Sequence, residues 1–187
     1  MKDRSLVQIA LYAAIIAVLG LLPKFDIPFV PGVPITAQTM GVMLAGVMLG
    51  ATRGALAVLL VVFVVALGAP LLAGGRGGLG VFFSPTVGFL IGWIPGAFVA
   101  GSIMQLLRKA PVFPAALLAS VIGGIVVLYA FGIAGLSLRA NLSLLDAAKA
   151  SMVFIPGDTL KAILTALVAQ TVARGMPEAL LSRALTP

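Results

Sequence analysis

The chain has 187 residues, 61% of them apolar and 9% charged, against roughly 25% charged residues in a soluble domain, so it reads as an all-α integral membrane protein forming one unit over residues 1–187. Cysteine and histidine are both absent, which excludes disulfides, Cys/His metal centres and histidine-based acid–base catalysis. The net charge of +7 comes from cations set singly between apolar runs, the pattern of a protein with positive cytoplasmic ends rather than of a nucleic-acid binder.

A bilayer core of about 30 Å takes roughly 20 apolar residues per helix. The first such run covers residues 6–22, after Met1-Lys2-Asp3-Arg4. It resembles a signal peptide, but no small-x-small cleavage site follows and further spans come after it, so it is expected to be retained as a helix. An irregular stretch with Pro23, Pro28, Pro31 and Pro34 leads to a second span at 37–51. Arg53 and Gly54 are expected to mark a tight turn before a third span at 55–72. The run Gly74-Gly75-Arg76-Gly77-Gly78-Leu79-Gly80 cannot be regular helix, because glycine loses too much chain entropy there. A fourth span at 85–107 ends at Arg108-Lys109, and a fifth covers 113–136. Residues 143–154 read as a more polar, amphipathic helix, and a sixth span at 156–174 precedes a short polar tail.

Six spans put both termini on one side. That side gathers Lys2, Arg4, Arg53, Arg108, Lys109, Arg174 and Arg183; the other gathers Lys24, Arg76, Arg139 and Lys149. The excess of basic residues favours cytoplasmic termini and leaves the three longer connections outside. Glycines at four-residue spacing, Gly46-Gly50-Gly54 and Gly88-Gly92-Gly96, are expected to let helices approach closely within the bundle. Alanines at the same spacing on the first helix, Ala10-Ala14 and Ala13-Ala17, serve either internal packing or the docking of a partner subunit.

The chain has no Gly-x-x-x-x-Gly-Lys-Ser/Thr loop, so any ATPase driving uphill transport is another polypeptide. Its five acids, Asp3, Asp26, Asp146, Asp158 and Glu178, include no close pair, which gives no support to a carboxylate metal site or a glycosidase dyad. Asp158 and Lys161 are three residues apart at the start of the sixth span and so share a helix face. Charge within a span costs about 2.5–3.5 kcal/mol, so the two either form a structural ion pair or bind a polar ligand, and the cost favours the ligand. A carboxylate accepts from ligand N–H groups, and an ammonium donates to a carbonyl or carboxylate. Arg76, between glycine pairs, is either an exposed loop cation or a two-pronged grip for a carboxylate. Thr36 and Gln38 either bind the ligand or cap the second span. Phe83 and Ser84 follow the glycine run beside Phe82, where the aromatics either cover an apolar ligand or anchor at the interface. Trp93 and Tyr129 read as core or interface residues.

Taken together, the stretches Pro34-Ile35-Thr36-Ala37-Gln38-Thr39, Gly74 through Gly92 with its Gly-Arg-Gly run and Ser84-Pro85-Thr86, and Pro156-Gly157-Asp158-Thr159-Leu160-Lys161 resemble the BioY family. Its members are the biotin-specific substrate-binding subunits (S components) of energy-coupling-factor transporters. The resemblance runs from the first helix to the sixth. It implies a six-helix S-component bundle in the cell (inner) membrane, outside capture of biotin with no cofactor, and no enzymatic step. It also implies a scaffold transmembrane subunit with two ATP-binding subunits, docked through alanines such as Ala10-Ala14 or Ala13-Ala17. The family's ligand-contacting acid and lysine map onto Asp158 and Lys161. Loops 23–35 and 74–84 are expected to close over the ligand. An S component for another vitamin, or a proton-coupled carrier using Asp158, is the alternative.

Overall fold

The computed structural model describes residues 2–23, 25–26 and 34–183. Helix α1 (Lys2–Gly20) is followed by a two-residue antiparallel ladder of β1 (Phe25–Asp26) with β2 (Pro34–Ile35). Helices α2 (Gln38–Leu49), α3 (Ala51–Ala66) and α4 (Val87–Leu106) come next. Then α5 (Val112–Val121), a π-helical turn (Ile122–Val127) and α6 (Leu128–Ala140) form one continuous helical stretch. A second continuous stretch consists of α7 (Leu144–Ser151), a 3-10 turn (Met152–Phe154) and α8 (Ile155–Gly175). The described residues therefore hold six helical stretches. Three of them, Val87–Leu106, Val112–Ala140 and Leu144–Gly175, are long and apolar enough to cross a membrane, and three shorter ones are apolar but of 10–17 residues.

Apolar residues cover the outside as well as the inside. Leu6, Val7, Leu11 and Val18 of α1, Leu59 and Phe63 of α3, and Leu160, Leu164 and Leu167 of α8 are exposed. The interior mixes large side chains such as Ile16, Met43, Met48, Met104, Leu128 and Leu136 with fully buried alanines, Ala97, Ala100, Ala116, Ala119, Ala162, Ala166 and Ala169. Small residues at helix contacts let helices approach closely in lipid, where solvent does not drive them together.

The expected close helix approaches are present. A methyl group on Gly46 would strike the carbonyl of Ala97, and one on Gly88, Gly92 or Gly96 would strike Phe131, Gly135 or Gly123. The tight turn is displaced from its expected place: it falls at Gly50, with φ +86°, and Arg53 and Gly54 lie in the first turn of α3. Only one residue separates α2 from α3, and glycine alone adopts that backbone without strain.

The π turn has a geometric reason. Gly123 and Gly135 both back onto α4, against Gly96 and Gly88, yet they are twelve residues apart. At 3.6 residues per turn twelve residues leave the second glycine about 120° out of line, whereas eleven bring it within about 20°. The extra residue taken up by the π turn restores the common face.

The two ends of the bundle differ. At one end Gly50, Gln105, Ala110 and Ser182 come together. The C-terminal segment, expected as a polar tail, instead folds back there as two 3-10 turns, burying Leu180 and Ser182. Arg183 Nη1 donates to the Ala110 carbonyl at 2.7 Å. At the other end lie the close of α1, the start of α2, the segment 67–86 and the start of α8, and these surround a cleft.

Candidate functional site

The cleft, together with the open space at its mouth, takes in about 670 Å³. Its wall is largely apolar: Leu72, Val81, Phe89, Leu90, Trp93, Leu128 and Phe154. The polar residues on it are Thr36, Gln38, Thr39, Arg76, Thr86, Asp158 and Lys161. Residues separated by up to about 120 positions thus converge, because α2, α4, α6 and α8 all present one end to the same space.

Asp158 stands in the first turn of α8 and is 4% exposed. Lys161 Nζ donates to its Oδ1 at 2.7 Å and to Thr39 Oγ1 at 3.0 Å. Thr39 Oγ1 in turn donates to Oδ1 at 3.3 Å, closing a three-membered ring. Tyr129 O–H donates to Oδ2 at 2.7 Å. Asp158 and Lys161 are an ion pair, as one branch of the sequence reading has it, and both also line the cleft, as the other branch requires. A carboxylate offers about four acceptor positions and an ammonium three donors. Among the described residues, three carboxylate positions and two ammonium N–H groups are used. One acceptor position, on Asp158 Oδ2, and one Lys161 N–H are left over, and both residues line the cleft.

Gln38 is the most enclosed polar side chain of the site, at 1% exposure. Its Nε2 donates to the carbonyls of Ile16 (3.2 Å) and Leu71 (2.9 Å), and its Oε1 accepts from the Ala73 N–H at 2.9 Å. The amide therefore ties α1, α2 and the 71–73 segment together. Thr36 Oγ1 accepts from the Gln38 N–H at 3.3 Å, a local turn bond just before α2, whose N-cap is Ala37 and carries no side-chain cap. Both still line the cleft.

Arg76 is held in a tight bend in which Leu72 and Arg76 exchange backbone hydrogen bonds at 3.0 and 3.1 Å. Its Nε donates to the Ala73 carbonyl at 3.2 Å and its Nη1 reaches Thr86 Oγ1 at 3.5 Å. Positive φ at Gly74, Gly75 and Gly78 makes this bend possible, and the segment is not regular helix.

Phe83 lies away from the cleft. It is 72% exposed and sits under the guanidinium of Arg139, 5.7 Å from the ring centroid. Ser84 does not line the cleft either: its Oγ donates to the Val81 carbonyl at 2.7 Å and shares a hydrogen bond with Thr86 Oγ1 at 3.0 Å. The 3-10 turn Leu79–Phe83 turns Val81 inward and Phe83 outward. Trp93, read from the sequence as core or interface, is a wall residue, and Thr39, Thr86, Phe89 and Phe154 are wall residues the sequence did not single out. Of the four alanines, Ala10 and Ala14 are exposed, Ala17 is half-buried and Ala13 is buried. Within loop 23–35, residues 24 and 27–33 lie outside the described residues.

An apolar-surfaced helical bundle with an aromatic cleft and one buried polar cluster defines a helical membrane protein built to hold a small molecule. Among the described residues no group of His, Cys, Asp or Glu could hold a metal ion. The BioY family model matches residues 1–178. A protein of Rhodobacter capsulatus named biotin transporter BioY is 53% identical over 190 residues, covering 97% of this chain and 99% of its own. Its namesake from Rhizobium etli is also 53% identical, over 186 residues, covering 95% and 97%. The crystal structure of the S-component for biotin from an ECF-type ABC transporter superposes with a TM-score of 0.87 at 34% identity, over 92% of each chain. The chain belongs to the BioY family.

Proposed function

We propose that this chain is the biotin-binding S component of an energy-coupling-factor importer, a transport subunit and not an enzyme. The observation that carries the reading is the spare acceptor of Asp158 and the spare donor of Lys161, carried on one turn of α8 in a cleft whose wall is largely apolar and aromatic. Biotin's ureido ring carries an N–H next to a carbonyl, which matches that pair. Its thioether ring and aliphatic chain suit the wall of Phe89, Trp93, Leu128 and Phe154. Its carboxylate is assigned to Arg76, with Thr36, Gln38 and Thr39 along the way.

In this reading the six helical stretches are six spans of the inner membrane. The end that holds Gly50, Arg108, Lys109, Arg174 and Arg183 faces the cytoplasm together with both termini, because basic residues concentrate there. The cleft then opens outward, and loops 23–35 and 74–84 close over the ligand. Release inward is driven by a scaffold transmembrane subunit with two ATPases, docked on the exposed Ala10 and Ala14. Biotin is cargo, and no cofactor takes part.

The test is calorimetric titration of detergent-solubilised protein with biotin, with thiamin and riboflavin as controls. One-to-one binding of biotin alone is expected, and Asp158→Asn should weaken it about 100-fold, since a charge-assisted hydrogen bond and a buried pair are lost together. A folded sample that ignores biotin, or binds the other vitamins as well, removes the assignment.

A further inference from the structure

Tyr129 stands behind the cleft rather than on its wall. It is buried, and its hydroxyl donates to Asp158 Oδ2 at 2.7 Å. Its ring meets Phe89 edge-on (6.2 Å, 81°), and Phe89 meets Phe154 edge-on (5.8 Å, 68°). Phe89 and Phe154 both line the cleft. One side chain therefore touches both the polar head of the site and its aromatic wall.

A carboxylate turns easily about its last side-chain torsion, whose preferences are broad and two-fold. Lys161 and Thr39 both bind Oδ1, so α2 and α8 hold one oxygen and leave Oδ2 without a tie. A donor on Oδ2 from a third helix holds the second oxygen and narrows that torsion further. Tyr129 reaches that oxygen from α6, two residues beyond the π turn. The extra residue of that turn rotates everything after it by about 100° relative to α5, so the aim of the hydroxyl depends on it.

We propose that Tyr129 is a positioning residue for ligand capture: it locks the Asp158 carboxylate with its remaining acceptor position turned into the cleft, and so selects a ligand with an N–H at that point. The proposal rests on the reading of Asp158 as a ligand contact. Tyr129→Phe keeps the ring and its packing and removes only the hydroxyl. Its effect is measured by calorimetry with biotin, alone and combined with Asp158→Asn, and unfolding temperatures are recorded without ligand. Expected is an approximately tenfold weaker biotin affinity from Tyr129→Phe alone, and less than a twofold change when Asp158 is already Asn, because the hydroxyl acts through that carboxylate. Unchanged affinity, or the same factor in both backgrounds, overturns the proposal. The second form of the experiment needs neither biotin nor a folded Tyr129→Phe variant. Fluorotyrosine, a more acidic donor, is incorporated in a Tyr12→Phe background, where Tyr129 is the only remaining tyrosine. The infrared carboxylate stretch of Asp158, taken as the difference from Asp158→Asn, should shift, and an unmoved band overturns the proposal. Wild-type protein that ignores biotin while the band shifts removes the ligand assignment and leaves the positioning intact.

Discussion

The cleft has two polar ends, and they are built by different means. At the Asp158 end, side chains from α2, α6 and α8 bond directly to one another, and each is carried by a regular helix. At the Arg76 end, a segment outside regular helix is held by backbone bonds, by glycines at positive φ and by the amide of Gln38. The first end is fixed by the bundle, so altering it acts on the ligand directly. The second end is fixed by loop backbone bonds and by the buried Gln38 amide together, so a change at Gln38 is felt at Arg76.

The most severe break in this contrast is Lys161→Met. It leaves the Asp158 charge buried without its cation, and removing one partner of a buried pair costs about 3–5 kcal/mol. Ligand affinity should fall by 100-fold or more and the unfolding temperature should drop, read by calorimetry and by thermal unfolding in detergent. If both stay at wild-type values, the helix-borne end is not a coupled unit.

Gln38→Ala comes next. It strands the carbonyls of Ile16 and Leu71 and the N–H of Ala73, and stranded buried groups cost about 1–3 kcal/mol each. Lower thermal stability and a loss of affinity of about tenfold are expected. The loss of affinity should shrink when Arg76 is already Ala, because Gln38 positions the loop that carries it. Equal losses in both backgrounds would show that Gln38 and Arg76 are independent.

Arg76→Lys sharpens the comparison further. It keeps the charge but loses the two-pronged geometry, so binding should weaken about fivefold to tenfold for biotin and hardly at all for an analogue whose acid is replaced by an alcohol. Titration of both ligands into both proteins reads this directly. The smallest effect belongs to Phe83→Ala. Its ring lies outside the cleft under Arg139, so affinity should change less than about threefold, in line with one exposed cation–π contact. A large loss there would return Phe83 to the site.

The apolar helical stretches, the irregular glycine segment and the charged residues that line the cleft were legible because each leaves a mark in the sequence. An acid inside an apolar run, or five glycines around an arginine, stands out whatever the fold. The orientation of each helix about its own axis was not legible. In a soluble bundle a polar stripe marks the outer face, but α4 and α8 carry apolar residues all round. That is why Phe89 and Trp93 could not be told from lipid-facing residues, nor Ala13 from Ala10 and Ala14. Gln38 was read as a helix cap or a ligand contact because its three backbone partners lie 22 to 35 residues away. Nothing local announces a bond of that reach. The π turn was equally hidden, since Ile122–Val127 has the composition of an ordinary apolar helix.

The Asp158–Lys161 pair has a consequence for how the chain is made. The two residues are three positions apart on one helix, so their ion pair needs no other part of the protein to form. An isolated acid would burden α8 on its way from the translocation machinery into lipid, whereas a locally neutralised pair lets the helix enter as a dipole rather than as a charge. Thr39 and Tyr129 arrive only when the bundle assembles. The pair is thus a local feature of α8, while Thr39 and Tyr129 reach it from α2 and α6.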